Sequence, residues 1–331
     1  MNNWLRNNLV CPRDKKQLDL QNNKLICPDN HIYPVVYDIP IMLVDSVTST
    51  HGYIEETLAK VAEFQSLGHL PNEYQNEPNG QFEVDSFVQH EIPYTSGHLY
   101  LKAQNKLTRY PIPEIRLKHG SGERLLDIGC NWGRWSIAAA KKNYRPIGID
   151  PSLNAVLAAR RVSKQLGVEC EFIVGDARFV PFANSTFDVV FSYGVYQHLS
   201  KENVLMSLDE VNRVLRANGK TLIQMANKYG IRQYQQHRRR GFTEGEGFEV
   251  RYWTPSELLK TYNAKIGDTI MTADCYFGLG IQGADADLLN KKYKMVVYTS
   301  EILRKLSQFI KPMVKVADSV YLESVNQKKS S

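Results

Sequence analysis

Three short runs in this chain of 331 residues end in acids placed to hold a small polar ligand. The first, Leu126-Asp-Ile-Gly-Cys-Asn-Trp-Gly-Arg134, sets Asp127, Gly129, Asn131 and Gly133 between an apolar stretch and an amphipathic one. Gly129 and Gly133 lack a Cβ, so the backbone can turn tightly and a ligand can approach it. A helix starting beyond them offers free N–H groups. Their G-x-x-x-G spacing is not the G-x-G-x-x-G of dinucleotide binders. The second run ends Ile147-Gly-Ile-Asp150, where an acid can accept both ribose hydroxyls of an adenosine ligand. The third ends Val174-Gly-Asp176-Ala177 and leads to Pro181-Phe182 and Ser185-Thr-Phe-Asp188.

A second group of residues suits proton transfer, anion binding and metal ligation. In Tyr193-Gly-Val-Tyr196-Gln-His198-Leu, His198 titrates near neutral pH and can take a proton from a nucleophile within hydrogen-bond reach, or else bond locally and hold its loop. Residues 228–251 carry six Lys/Arg and three Glu, and the forks of Arg238, Arg239 and Arg240 suit phosphate or carboxylate unless the segment is simply a solvated loop. Near the start, Cys11, Asp14, Cys27 and His31 form a knuckle of two turns, of the C-x₂-C or C-x₃-H type that holds structural zinc, with Asp14 where a cysteine is usual, or else the module is metal-free and held by its apolar Tyr33–Leu43 stretch.

The elements that must position these residues follow from periodicity. From Glu123 onward short apolar runs alternate with amphipathic ones. Strands are expected at Arg124–Ile128, Pro146–Ile149, Glu171–Val174, Asp188–Ser192 and Lys220–Met225, and helices at Trp135–Lys142, Ser152–Leu166 and Lys201–Leu215. Such alternation builds a doubly wound, mostly parallel sheet, with ligands outside the carboxyl ends of its strands. The expected divisions are a β-rich module at 1–48, a helical or irregular section at 49–120, the α/β domain at 121–300 with an insertion at 227–253, and a C-terminal amphipathic helix and tail at 301–331. Within them, Tyr53–Leu67 and Tyr100–Arg109 read as helices, Tyr33–Leu43 as an extended stretch, and the apolar spacing from Ile302 to Tyr321 as one helix.

Taken in order, the three acid-bearing runs resemble the motifs of class I S-adenosylmethionine-dependent methyltransferases with a UbiE-like core. The resemblance implies a Rossmann-like methyltransferase fold in which the Gly129–Gly133 loop wraps the methionine part of the cofactor. Asp176 would then bond the adenine amino group, with the Ala177 amide reaching the ring. It departs from the family at Asn131, where glycine is frequent, although asparagine tolerates positive φ. It places acceptor-side residues after the fourth strand. There Tyr193 and Tyr196 would turn ring faces to the sulfonium, or else serve packing. The first 48 residues resemble zinc-ribbon modules attached to several methyltransferases, which implies one structural zinc.

Composition narrows the function further. Five cysteines, odd in number and scattered, do not make a disulfide framework, and no stretch has the length and apolarity of a membrane span or leader, so a soluble cytoplasmic protein is expected. The N/D-P-P-Y/F tetrapeptide of exocyclic base methylation is absent. Together with that absence and the arginine run, the UbiE-like resemblance implies an acceptor with an O, N or C nucleophile on a small or lipid-linked metabolite. RNA is the alternative, favoured by the ribbon and by residues 291–329 with nine Lys/Arg against three acids. A binding module without catalysis comes third. The basic face of the tail also suits peripheral contact with an anionic membrane. Oligomeric state is not legible.

Overall fold

The computed structural model describes residues 1–47, 51–68, 83–278, 280 and 282–327. Helix α1 (Asn3–Asn8) is capped by Asn2, whose side chain accepts from the Leu5 amide. Strands β1 (Asp19–Gln21) and β2 (Lys24–Ile26) turn through Asn22 and Asn23. Strands β3 (Ile32–Val36) and β4 (Ile39–Met42) turn through Tyr37 and Asp38. All four turn residues have positive φ, as two-residue hairpin loops of the mirror-image type demand. The expected single extended stretch at Tyr33–Leu43 is therefore a hairpin, because the two residues between Val36 and Ile39 fold it back.

Helices α2 (Tyr53–Leu67) and α3 (Ser86–Ser96) precede the main α/β series. That series runs β5 (Arg124–Ile128), α4 (Arg134–Ala140), β6 (Arg145–Asp150), α5 (Leu153–Gln165), β7 (Glu171–Gly175), β8 (Phe187–Ser192), α6 (Lys201–Val214), β9 (Leu215–Ala226), α7 (Ile231–Arg239) and α8 (Pro255–Lys265). It closes with β10 (Gly267–Cys275), α9 (Lys291–Ser307) and β11 (Ser319–Asn326). The strand order is β1-β2-β3-β4-β7-β6-β5-β8-β9-β11-β10. Strands β4 to β9 along that order are parallel, while β11 is antiparallel to both its neighbours. This is the doubly wound, Rossmann-like sheet that the alternation predicts. The chain winds outward from β5 in one direction through β6 and β7, then in the other through β8 and β9. The crevice at the carboxyl ends of β5 and β8 is thus the switch point where such sheets bind ligands.

Two further expectations need correction. Tyr100–Arg109 is not an α-helix: a 3-10 turn over His98–Lys102 covers only its start. The preceding helix is α3, and the Gln89 side chain bonds both the Leu107 amide (2.9 Å) and the Leu107 carbonyl (2.8 Å), holding the following turns against α3. The tail is not one amphipathic helix either. Helix α9 stops at Ser307, Pro312 stands at the start of a 3-10 turn and keeps the chain from resuming the α-helix across it, and the apolar residues Val320 and Tyr321 belong to β11, which slots between β9 and β10. The N-terminal module is joined to the main sheet. Ile41 and Met42 of β4 pair with Val174 and Gly175, Lys15 meets Glu210 on α6 at 2.7 Å, and the Arg124 guanidinium lies 4.0 Å above the Trp4 ring. Among the described residues, no helix is long and apolar enough to cross a membrane.

Candidate functional site

The first loop owes its shape to three left-handed residues: Gly129 (φ 73°), Asn131 (φ 46°) and Gly133 (φ 81°). A Cβ on Gly129 would lie 2.2 Å from a Val195 methyl group, and one on Gly133 2.9 Å from the Phe172 ring. Both positions therefore need glycine for close approach as well as for φ. The Gly129 and Cys130 amides donate to the Ile149 carbonyl at 2.8 and 3.1 Å, tying the loop to β6. The Asn131 amide donates to one Asp150 oxygen and the Ser152 amide to the other, both at 2.9 Å. Loop and acid are thus one preorganised unit.

Both neighbouring acids are nearly sealed from water. Burial pushes the Asp150 carboxyl up to about 6, against the two amides that favour its ionised form. Burial pushes Asp127 up to about 7, with the Asp150 charge adding to it, although the Ser136 hydroxyl donates to Asp127 at 2.7 Å. Asp176, at the end of β7, carries a partner that the sequence reading missed. The buried Arg178 guanidinium donates to both carboxylate oxygens, the closest contact being 2.6 Å, and the Arg178 amide donates to Oδ1 at 2.8 Å. Ala177 follows, half-buried. The only signal for Arg178 is its place two residues after the acid.

Beyond β8 the structure separates residues that the sequence grouped together. Tyr193 stacks on Trp135 of α4 with centroids 4.5 Å apart, and its hydroxyl donates to Asp274 of β10 at 2.7 Å. Tyr196 is a correction: it is fully enclosed in the core, with no surface to offer an acceptor. Its burial follows from the short helical turn at 196–198, which rolls the ring inward. His198 places Nδ1 2.7 Å from the Phe248 carbonyl and Nε2 3.2 Å from the Gln197 amide nitrogen. Those contacts put its proton on Nδ1, and burial pushes its pKa down to about 4. Its ring stacks on Phe248 at 4.4 Å, and the His51 ring lies 4.5 Å from the other end of this group. His198 therefore has the geometry of a loop brace, which a free general base would lack.

The arginine run divides in the same way. Arg240 is committed to its own loop, bonding the Thr243 and Val250 carbonyls and pairing with Glu249 at 3.2 Å. This corrects the expected triple clamp, since that guanidinium is spent on folding the insertion. Arg238 and Arg239 are exposed at the end of α7, and Arg239 shares a shallow polar cavity of about 250 Å³ with Arg232, Gln235 and Gln236.

A buried polar network under this side was invisible in the sequence. Asp274 accepts from Tyr193 and from Ser319 (2.8 Å) and pairs with Arg116 at 3.1 Å. Gln224 donates to Ser319 (2.7 Å) and to Gln197 (3.2 Å), and its carbonyl accepts from the Gly194 amide at 2.8 Å. Four segments distant in sequence thus fix the Tyr193–His198 loop. No local pattern could have announced it.

At the N-terminal hairpins, the ligand atoms of Cys11, Asp14, Cys27 and His31 all lie within 4.8 Å of one another. Cys11 Sγ is 3.4 Å from His31 Nδ1, Cys27 Sγ 3.0 Å from Asp14 Oδ2, and that oxygen 3.3 Å from His31 Nδ1. Tetrahedral zinc with bonds of about 2.0–2.3 Å sets its ligands roughly 3.3–3.8 Å apart. The Cys11–His31 and Asp14–His31 separations fall in that range, while Cys27 and Asp14 stand closer together, so the two thiols, carboxylate and imidazole form a donor set of the kind zinc takes after a small adjustment.

Residues 125–219 match the family model described as a methyltransferase domain. The chain is 34% identical over 132 residues to the uncharacterised protein MJ1252 of Methanocaldococcus jannaschii, covering 39% of this chain and 47% of that one. It is 28% identical over 107 residues to a ubiquinone biosynthesis O-methyltransferase of Azorhizobium caulinodans, covering 32% and 42%. The chain therefore spans less than half the length of these relatives. Among solved structures, YcgJ of Bacillus subtilis is similar, with 18% identity, a TM-score of 0.41, and coverage of 65% of this chain and 95% of that one. The matched segment runs from β5 into β9 and contains the Gly129–Gly133 loop, Asp150 and Asp176.

Proposed function

We propose that this chain transfers the methyl group of S-adenosylmethionine to an oxygen, nitrogen or carbon nucleophile of a small or lipid-linked acceptor. The observation that carries the reading is the convergence of Asp127, the Gly129–Gly133 loop, Asp150 and Asp176 at the carboxyl ends of β5, β6 and β7, which are adjacent in the sheet. The acceptor groups suit the cofactor. Each Asp150 oxygen accepts one backbone N–H and keeps a lone pair for a ribose hydroxyl. Asp176 shares its oxygens with Arg178 and keeps acceptor capacity for an adenine amino group, with the Ala177 amide next to it.

When bound, the cofactor would supply an electrophilic methyl group that the acceptor nucleophile takes in line as the C–S bond breaks, with S-adenosylhomocysteine as the leaving group. The chain's own part is alignment: the glycine loop and Asp150 fix the ligand, while the polar network beneath Tyr193 and the His198–Phe248 stack shape the side from which an acceptor approaches. Holding nucleophile and methyl carbon about 3–3.5 Å apart, with water excluded, is the largest effect such a site can contribute. The names of similar proteins include ubiquinone biosynthesis O-methyltransferase and probable fatty acid methyltransferase, which supports an acceptor of lipid-linked type.

We further propose that Cys11, Asp14, Cys27 and His31 hold one structural zinc. Calorimetry with S-adenosylmethionine tests the central claim. Binding by the wild-type chain and a large loss in Asp150→Ala are expected, and absence of wild-type binding overturns it. The RNA reading is tested by gel shift at two salt concentrations. It requires binding that falls steeply with salt, and a lack of binding at low salt removes it.

A further inference from the structure

We infer that the outer face of α9 and the turn after it form a docking surface for an anionic lipid bilayer. Met295, Tyr298, Ile302 and Leu306 recur at i, i+3, i+7 and i+11 and so lie along one side of the helix. Phe309 and Ile310 extend the stripe into the turn. All six are exposed, Met295 by 67%, Ile302 by 59% and Phe309 by 84%. The opposite side is already used: Val297, Ser300 and Ser307 are buried, and Ser300 accepts from the Tyr276 amide. The stripe is therefore not the side that holds α9 to the domain. A continuous exposed apolar patch of this kind marks an interaction surface.

Charge decides the partner. Residues 291–315 carry seven Lys/Arg and one acid, Glu301. That acid is turned inward, meeting Arg116 at 3.1 Å and Arg304 at 2.8 Å. Lys291, Lys292, Lys305, Lys311 and Lys315 remain exposed around the stripe. A second copy of this face would bring lysines against lysines. A bilayer with anionic headgroups offers both things the surface lacks, an apolar interior for the stripe and negative charge for its rim.

The surface continues toward the insertion. The Asn227 side chain donates to the Lys315 and Ala317 carbonyls at 2.9 and 2.8 Å, and Asp318 accepts from the Arg232 and Gln233 amides at the start of α7. Exposed Tyr229 and Ile231 stand at that junction. The inference does not depend on methyl transfer, because its readout is binding.

The test is flotation of the full chain with vesicles of phosphatidylcholine, alone or with roughly one-third phosphatidylglycerol. Binding to the anionic vesicles, none to the neutral ones, and release by high salt are expected. Ile302→Asp with Phe309→Asp should lower the bound fraction by about tenfold or more, and Lys305→Glu with Lys311→Glu should do likewise. Both variants change exposed side chains, so unchanged melting temperature and cofactor binding serve as the control. No anionic-vesicle binding, or equal binding by the variants, overturns the inference. So does a wild-type dimer in sedimentation velocity that Phe309→Asp converts to monomer, which would assign the face to a second copy.

Discussion

Asp150 shows how one residue joins fold to chemistry. Its two oxygens are held by backbone amides from different segments, so Asp150→Ala removes an anchor without leaving a large cavity. A charge-assisted hydrogen bond contributes roughly 1.5–3 kcal/mol, and S-adenosylmethionine binding should weaken by about 10- to 100-fold in calorimetry. Titration adds a second expectation. Burial raises Asp127 to about 7 and Asp150 to about 6, so the folded chain keeps protons that the unfolded chain releases. Their contribution to stability is therefore greatest below the ordinary carboxylate range and is lost as pH rises toward about 7. Ligand donors favour the ionised forms, so cofactor affinity should rise over the same interval. The increase in Tm on adding cofactor should be larger at about pH 7.5 than at about pH 5.5, and an equal shift would contradict this. At His198, a true base would make the alanine variant about 10²- to 10⁴-fold slower. The brace geometry predicts a loss below about tenfold, with faster proteolysis around Phe248 and no acidic limb of the pH profile removed.

At the scale of elements, the 110–118 segment is fastened to β10 and α9 by a single side chain. Arg116 pairs with Asp274 and Glu301 and donates to the Asp274 carbonyl at 2.6 Å. Asp274 has no exposure to water, so Arg116→Leu would strand a buried charge, a change that costs about 3–5 kcal/mol. Chemical denaturation should show that loss, whereas Tyr193→Phe, which removes one hydrogen bond while Ser319 and Arg116 remain, should cost only about 1–2 kcal/mol. Helix α8 starts at a capping box: Thr254 accepts from the Glu257 amide, and Glu257 bonds back to the Thr254 amide at 2.8 Å. Strand β11 was not legible, because its apolar residues also fit a helical stripe and its partners lie about 50 and 100 residues away along the chain.

At the scale of the whole molecule, the N-terminal module shares the main sheet through β4 and is braced on α6 by Lys15. If zinc holds the knuckle, elemental analysis of protein purified without chelator should give about one ion per chain, lost in Cys27→Ser. Because the module and the domain share one sheet, chelation should lower the single main thermal transition, without releasing a separate small one. Two transitions, with the larger unmoved, would show that the module melts on its own.

Local periodicity was enough to find the α/β series. Each strand from β5 to β9 is a short apolar run bounded by turn residues, and Asp127, Asp150 and Asp176 sit where those runs stop. The glycine loop, Asp150 and Asp176 were legible for that reason, as were the four knuckle residues, whose spacing reflects two tight turns. Contacts between distant segments were decided only by tertiary structure. The pairing of β4 with β7, the insertion of β11, the enclosure of Tyr196, and the joining of Arg116, Tyr193, Gln224, Asp274 and Ser319 all arise from strands meeting across a sheet. Periodicity states which side of a strand is buried, and it carries no information about which strand lies next to it.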